Sequence, residues 1–172
     1  MIPKIKHILY ATDLSRNSAY AFQYAIHFAA LHQARISLLH VLEKFPGSED
    51  PYISSDLMHG KMDKIVGTRK IELSEKIQKR LIEFCRKELQ GDPALLDLIS
   101  SVKVVEGEPA GQILHMVQDL KADLLIMGTH SKDFLTHAML GSVSEGVLRR
   151  IKIPVTIIPI PEKTDLEFHD FA

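Results

Sequence analysis

The stretch DLLIMGTHSKDFLTHAMLGSVSEGVLRRI, residues 123–151, decides how the fold is interpreted. It begins with a short apolar run, 123–127, which is typical of a buried strand, and ends with apolar residues at helical spacing. A polar segment bounded by Gly128 and Gly141 lies between them. Polar, glycine-flanked loops between a strand and a helix often hold phosphate. The glycine spacing, however, matches neither the Walker loop nor the dinucleotide fingerprint.

The rest of the chain also alternates between strand and helix patterns. Apolar runs predict strands at 7–12, 35–42, 101–106, 123–127 and 154–160. Helical spacing predicts helices at 17–32, about 57–90, from Pro109 onward, and about 142–151. This alternation predicts an α/β fold, namely a doubly wound, open parallel five-stranded sheet with helices on both faces. We expect one domain over residues 1–160 and a polar tail over residues 161–172.

Ligands of a doubly wound sheet bind outside the carboxyl ends of the strands, where the strand order reverses. This rule selects the residues that follow three of the predicted strands. They are Asp13, residues 41–43, and Gly128 onward. The loop of the opening stretch therefore lies where such a fold binds its ligand.

Composition argues against several functional classes. Apolar residues make up 45% and charged residues 25% of the 172 positions, and the net charge is −1. A chain of this charge has no global attraction for nucleic acid or for an anionic membrane. No apolar run approaches the roughly 20 residues that span a bilayer, and the N-terminus lacks a signal-peptide core. We expect a cytoplasmic protein with no nucleic-acid partner and no membrane partner.

Catalytic and metal-binding motifs are not evident. The nine histidines are scattered, and the single Cys85 has no cysteine partner for a metal site. Gly60-Lys61 is followed by Met62, which does not fit a Walker loop, and Ser142 does not lie in a G-x-S-x-G pattern. The sequence therefore predicts no catalytic residue and no dedicated metal site.

The polar loop itself has the features of an anion site. Gly141 or Ser142 can cap the helix that follows, which leaves the backbone N–H groups of residues 142–144 pointing outward. Three residues on the near side of the loop could add donors: His130, Ser131 and Lys132. The same spacing fits, equally well, a capped helix that follows a loop with no ligand.

The chain resembles universal stress proteins. Nucleotide-binding members of that family carry G-x2-G-x9-G-[ST] at this place. Gly128 supplies the first glycine, Gly141-Ser142 supply the last pair, and Ser131 stands where the second glycine is expected. The resemblance covers nearly the whole chain, through HILYATDLS, LLHVLE, VVEGEPAGQIL, ADLLIMGTHS and GSVSEGVLRRIKIPVTIIP in that order.

The resemblance implies a sheet of order 3-2-1-4-5 that holds ATP or a related adenine nucleotide, ADP or AMP. In some relatives a divalent ion such as Mg or Mn accompanies the phosphates. Carried over by position, the nucleotide-binding residues are Ala11, Thr12 and Asp13 at the first strand, Val41 near the adenine, Met127 and Gly128 near the ribose, and Ser131, Gly141, Ser142 and Val143 around the phosphates. Asp13 has a competing role, because it could instead cap the helix that begins near Ser15.

Position 131 is the main departure from the family pattern. If its backbone needs a positive φ, serine carries a conformational penalty that glycine avoids. Alternatively, the serine hydroxyl becomes a donor and the loop still works. The resemblance thus predicts nucleotide binding, with Ser131 as the open question.

The fifth strand, residues 154–160, is expected at a sheet edge, where unpaired backbone groups invite pairing with another chain. The resemblance suggests a homodimer through this strand, whereas Pro154, Pro159 and the acidic tail could instead protect it.

We expect an ATP-binding universal stress protein that acts in stress response as a regulatory or protective dimer, with a protein partner of unknown identity. One alternative is a nucleotide-free, chaperone-like interaction dimer. Another is a weak ATPase in which Asp13 or His130 positions water.

Overall fold

The computed structural model describes residues 2–43, 59–129 and 140–159. Its strands and helices follow one another as β1 (His7–Thr12), α1 (Arg16–His32), β2 (Arg35–Leu42), α2 (His59–Glu88), α3 (Pro93–Leu96), β3 (Ile99–Glu106), α4 (Pro109–Asp119), β4 (Leu124–Gly128), α5 (Ser142–Leu148) and β5 (Val155–Ile158).

The five strands form one parallel sheet of order β3-β2-β1-β4-β5. The predicted α/β class and the predicted strand order are both confirmed. β1 lies at the centre, paired with β2 on one side and with β4 on the other. The winding therefore reverses between β1 and β4, which is where an open α/β sheet forms its crevice.

Successive side chains of β1 enter two separate cores, because neighbouring residues of a strand point to opposite faces. On the first face, Ile8 and Tyr10 pack beneath α1 and α2. Phe22 of α1 is fully buried there, with its ring centroid 5.8 Å from Tyr10 and 5.2 Å from Phe84 of α2. These three aromatic rings tie both helices to the central strand.

The second face is covered by α4 and α5. Leu9 and Ala11 of β1 pack there against Ile113 and Val117 of α4 and Val147 of α5. The alternation along β1 thus builds a helix–sheet–helix sandwich, as the doubly wound pattern requires.

Within residues 71–88 of the long helix α2, whose side chains the structure describes, full burial is confined to the C-terminal turns. Among its described side chains, the buried ones are Leu81, Phe84 and Cys85, whereas Ile71 is 61% exposed. Thirty residues of α-helix are about 45 Å long, while the eight residues of β3 span only about 26 Å. No helix in the described ranges, α2 included, is long and apolar enough to cross a membrane.

β3 begins two residues earlier than predicted because of a bulge. The pairing with β2 shifts between Ile36 and Ser37, so that Ser100 is the extra residue. Both Ser100 and Ser101 then place their hydroxyls against the buried Ser37 Oγ, at 2.9 and 2.8 Å. The bulge thus gives the buried Ser37 hydroxyl two serine partners at the amino end of the sheet, whereas a regular ladder would give it fewer.

The short helix α3 was not predicted. Pro93 occupies its first turn, and the Asp92 carboxylate accepts a hydrogen bond from Ala94 N at 2.9 Å. The sequence Gly91-Asp92-Pro93 follows α2 and starts this extra turn.

Leu81→Ala is expected to lower the free energy of unfolding by about 2–5 kcal/mol, because it opens a cavity under α2. Ile71→Ala on the same helix should change it by less than about 0.5 kcal/mol, because that side chain is exposed. Urea denaturation followed by circular dichroism measures both. Equal losses for the two variants would contradict the anchoring of α2 by its C-terminal end.

Candidate functional site

A cleft of about 720 Å³ opens at the carboxyl ends of β1, β2 and β4. Its volume lies in the range of small-molecule sites. It lies at the reversal between β1 and β4, which is the location that the rule for doubly wound sheets predicts. Its walls are formed by the ends of these strands, the turn before α1, the start of α4 and the start of α5.

The turn from β1 to α1 is held by side chains that bond to its own backbone. Thr12 Oγ1 accepts a hydrogen bond from Leu14 N at 3.1 Å, and Asp13 Oδ1 accepts one from Ser15 N at 3.0 Å. Leu14 has a φ of 63°, in the left-handed region that a leucine seldom adopts. The two hydrogen bonds offset the cost of this conformation.

Both roles considered for Asp13 are compatible with this geometry. One carboxylate oxygen supports the start of α1 through Ser15 N. The residue is nevertheless exposed and lines the cleft, and Oδ2 has no hydrogen-bond partner in the described ranges. One oxygen therefore stays available to a ligand or an ion.

The end of β2 forms the opposite wall. Thr12, the last residue of β1, pairs with His40, so Val41 and Leu42 extend past β1 and pair only with β3 among the described strands. The His40 ring lies beside the turn, with Nδ1 2.9 Å from Thr12 O. Burial lowers the pKa of His40, because the partly enclosed site disfavours the charged ring.

The ends of the long loop after β4 are joined by a backbone hydrogen bond. Gly141 N donates to Thr129 O at 3.1 Å, and Thr129 N donates to Ile158 O at 3.2 Å. A Cβ at position 141 would lie 2.9 Å from Thr129 O, which is too close. Glycine is therefore required here by the close approach of two backbone segments. The buried Ser144 Oγ adds a bond to Gly128 O at 3.3 Å.

The first turn of α5 borders the cleft. Gly141 is the N-cap residue, one of the two predicted, and it has no side chain that could satisfy the first N–H groups. The first N–H bonded within the helix belongs to Glu145, which donates to Gly141 O at 2.9 Å. The N–H groups of residues 142–144 precede it and have no acceptor inside the helix. All three residues line the cleft.

The structure brings nine of the predicted residues together around the cleft: Ala11, Thr12, Asp13, Val41, Met127, Gly128, Gly141, Ser142 and Val143. His130, Ser131 and Lys132 lie outside the described residues. Binding of a nucleotide by any of these positions stays a prediction.

Sequence reasoning missed several lining residues, above all Ser15, Ser18 and His40. Ser15 is the N-cap residue of α1, yet its side chain makes no capping hydrogen bond. For His40 the available signal was a histidine near the end of an apolar strand that the fold rule had already selected.

Cys85 of α2 lies outside the cleft. It is buried, and burial raises the pKa of its thiol to about 12. The thiol is therefore held in its unreactive form. Throughout the described ranges, no three His, Cys, Asp or Glu side chains are grouped so that they could hold a metal ion.

Charge on the described walls of the cleft is acidic. Asp13 and Glu43 are both exposed at its rim, and the described lining contains no Lys or Arg. Within this part of the chain, positive potential near the cleft therefore comes from backbone N–H groups, not from side chains.

Comparison with known proteins agrees with this architecture. The model of the universal stress protein family matches residues 4–159. Universal stress protein MJ0577 of Methanocaldococcus jannaschii is 31% identical over 158 residues, covering 89% of this chain and 94% of that protein. Universal stress protein A of Escherichia coli is 26% identical over 160 residues, covering 93% and 98%.

Solved structures show the same fold. The structure of MJ0577 has a TM-score of 0.61 and 27% identity, and the match covers 94% of this chain and all of that one. A universal stress protein solved in complex with cAMP has a TM-score of 0.54 at 19% identity, and the match covers 91% and 98%. From the family match over residues 4–159, the chain belongs to the universal stress protein family.

Proposed function

We propose that this chain binds an adenine nucleotide, with ATP as the main candidate, and acts in stress response as a regulatory or protective homodimer. The observation that carries the proposal is the cleft at the reversal between β1 and β4. It brings nine predicted residues from four segments of the chain to one place. In open α/β sheets this is where nucleotides bind.

The end of β2 suits a purine base. β1 stops at Thr12, so the Val41 C=O, which faces the β1 side, has no strand partner among the described residues. A carbonyl at such a position can accept a hydrogen bond from the amino group of a base, and the apolar side chains of Val41, Ile113 and Met127 can cover the faces of the base. This arrangement supports the placement of adenine next to Val41.

The start of α5 suits phosphate. The backbone N–H groups of residues 142–144 lie at the positive end of the helix, and Gly141 lets the loop close on Thr129 without a clash. His130, Ser131 and Lys132 would complete the phosphate side from the part of the loop that the structure does not describe.

A divalent ion is compatible with the acidic rim. A triphosphate beside Asp13 and Glu43 meets like charges, which an Mg or Mn ion would offset. The free oxygen of Asp13 is the described group best suited to contact such an ion, and its other oxygen is fixed on Ser15 N.

The open edge of β5 supports the proposed homodimer. Leu125 N donates to Pro154 O at 3.1 Å, and Thr129 N donates to Ile158 O at 3.2 Å. Alternate residues of this segment, 154, 156 and 158, therefore turn their backbone groups toward β4. The backbone groups of Val155 and Ile157 accordingly point to the outer side of the strand. No described strand pairs with them there.

ATP is expected to bind the purified protein at millimolar concentration or below, and Gly141→Ala should weaken binding at least tenfold. The added Cβ would press on Thr129 O and move the start of α5 away from β4. Isothermal titration with ATP, ADP, AMP and cAMP measures this, and mass spectrometry identifies any nucleotide that copurifies.

Gly146→Ala is the matched control, because it changes a glycine in the same helix next to Ala110, outside the cleft lining. It should keep the wild-type affinity. If none of the four nucleotides binds at millimolar concentration, the proposed function is wrong. Equal affinities of the Gly141→Ala variant and the wild type would remove Gly141 from the phosphate side.

Ser131→Gly is expected to bind ATP more tightly than the wild type, because glycine adopts positive φ at no cost and leaves more room for phosphate. The same titration measures the change. An unchanged affinity would show that position 131 does not restrict the site.

Amide hydrogen exchange separates the two sides of β5. The amide of Thr156 should be protected at every protein concentration, because it faces β4. The amides of Val155 and Ile157 should gain protection only as the protein concentration rises and dimers form through the edge. Sedimentation equilibrium provides the parallel measure of mass. A dimer in which these two amides stay unprotected would place the interface elsewhere.

A further inference from the structure

The orientation of the His40 ring fixes which of its nitrogens carries hydrogen. Nδ1 lies 2.9 Å from Thr12 O, and a carbonyl oxygen can only accept a hydrogen bond. The hydrogen must therefore sit on Nδ1. In the neutral ring, Nε2 is then left as an acceptor with a free lone pair.

The free nitrogen belongs to a residue that lines the cleft. Nε2 has no hydrogen-bond partner among the described residues, and His40 forms part of the cleft wall on the side of α1. Because burial lowers the pKa of His40, the ring is neutral at pH 7 and above. The wall thus presents a hydrogen-bond acceptor to whatever occupies the cleft.

Ser15 lies on the same wall but offers no competing donor to His40. Its Oγ is buried and has no hydrogen-bond partner in the described ranges. Its backbone oxygen takes the bonds from Ser18 N and Ser18 Oγ, at 3.0 and 2.6 Å.

We infer that His40 determines specificity in the proposed nucleotide site by accepting, at Nε2, a hydrogen bond from an N–H or O–H group of the nucleotide. The inference rests on the proposed function. Phosphate oxygens of a bound nucleotide have no hydrogen to donate at neutral pH, so the donor is the 6-amino group of adenine or a ribose hydroxyl.

The tautomer of His40 can be tested without any nucleotide. Nitrogen-15 NMR of the imidazole rings at pH 7.5 should show His40 with hydrogen on Nδ1 and a bare Nε2. Hydrogen on Nε2 would overturn the inference, because that nitrogen could then only donate.

The acceptor role is tested by pairing a variant with ligand analogues. His40→Asn keeps an amide N–H that can reach Thr12 O but removes the acceptor at the position of Nε2. Three ATP analogues each lack one donor: the 6-amino group, the 2′-hydroxyl or the 3′-hydroxyl. We expect wild-type protein to bind one of them about tenfold more weakly than it binds ATP. The His40→Asn variant should lose about tenfold for ATP itself and nothing further for that same analogue.

His115→Asn is the matched control, because His115 is exposed on α4 and does not line the cleft. It should reproduce the wild-type affinities. The analogue that is affected identifies the donor as amine or hydroxyl. If wild type and His40→Asn discriminate equally among all three analogues, His40 does not read the nucleotide, although the nucleotide site stands. Failure of wild-type protein to bind any nucleotide overturns both proposals.

Discussion

The position of β1 at the centre of the sheet is the constraint on which the rest of the molecule depends. Its side chains feed two cores that lie on opposite faces, one closed by α1 and α2 and the other by α4 and α5. Because the chain leaves β1 toward one face and reaches β4 through helices on the other, no connection crosses the gap between the ends of these two strands. The cleft is the geometric result of that winding.

The sequence predicts well the strand boundaries that depend only on local hydrophobic periodicity. The bounds of β1 and β2 match their apolar runs, 7–12 and 35–42, because polar residues or turn residues follow each of them. The strand order and the family follow from several segments considered together. The bulge at Ser100 and the helix α3 escaped prediction because each depends on a partner or a turn that periodicity does not record.

The site is predictable only in part, and His40 shows why. An apolar run with a histidine near its end indicates a strand, but it does not reveal that the ring reaches Thr12, 28 residues earlier in the chain. That contact requires the register of β1 against β2. The need for glycine at position 141 has a similar origin, since it follows from the backbone of Thr129, across a long loop. Spacing identified the glycine, and only the fold supplies the reason for it.

The graded burial of α2 over residues 71–88 has a thermodynamic consequence. Its C-terminal turns share the core of α1 and β1, so they can open only when that core opens. At the start of this described stretch, Ile71 is mostly exposed. Local opening of the backbone around Ile71 therefore needs only a small fraction of the free energy that unfolds the whole domain.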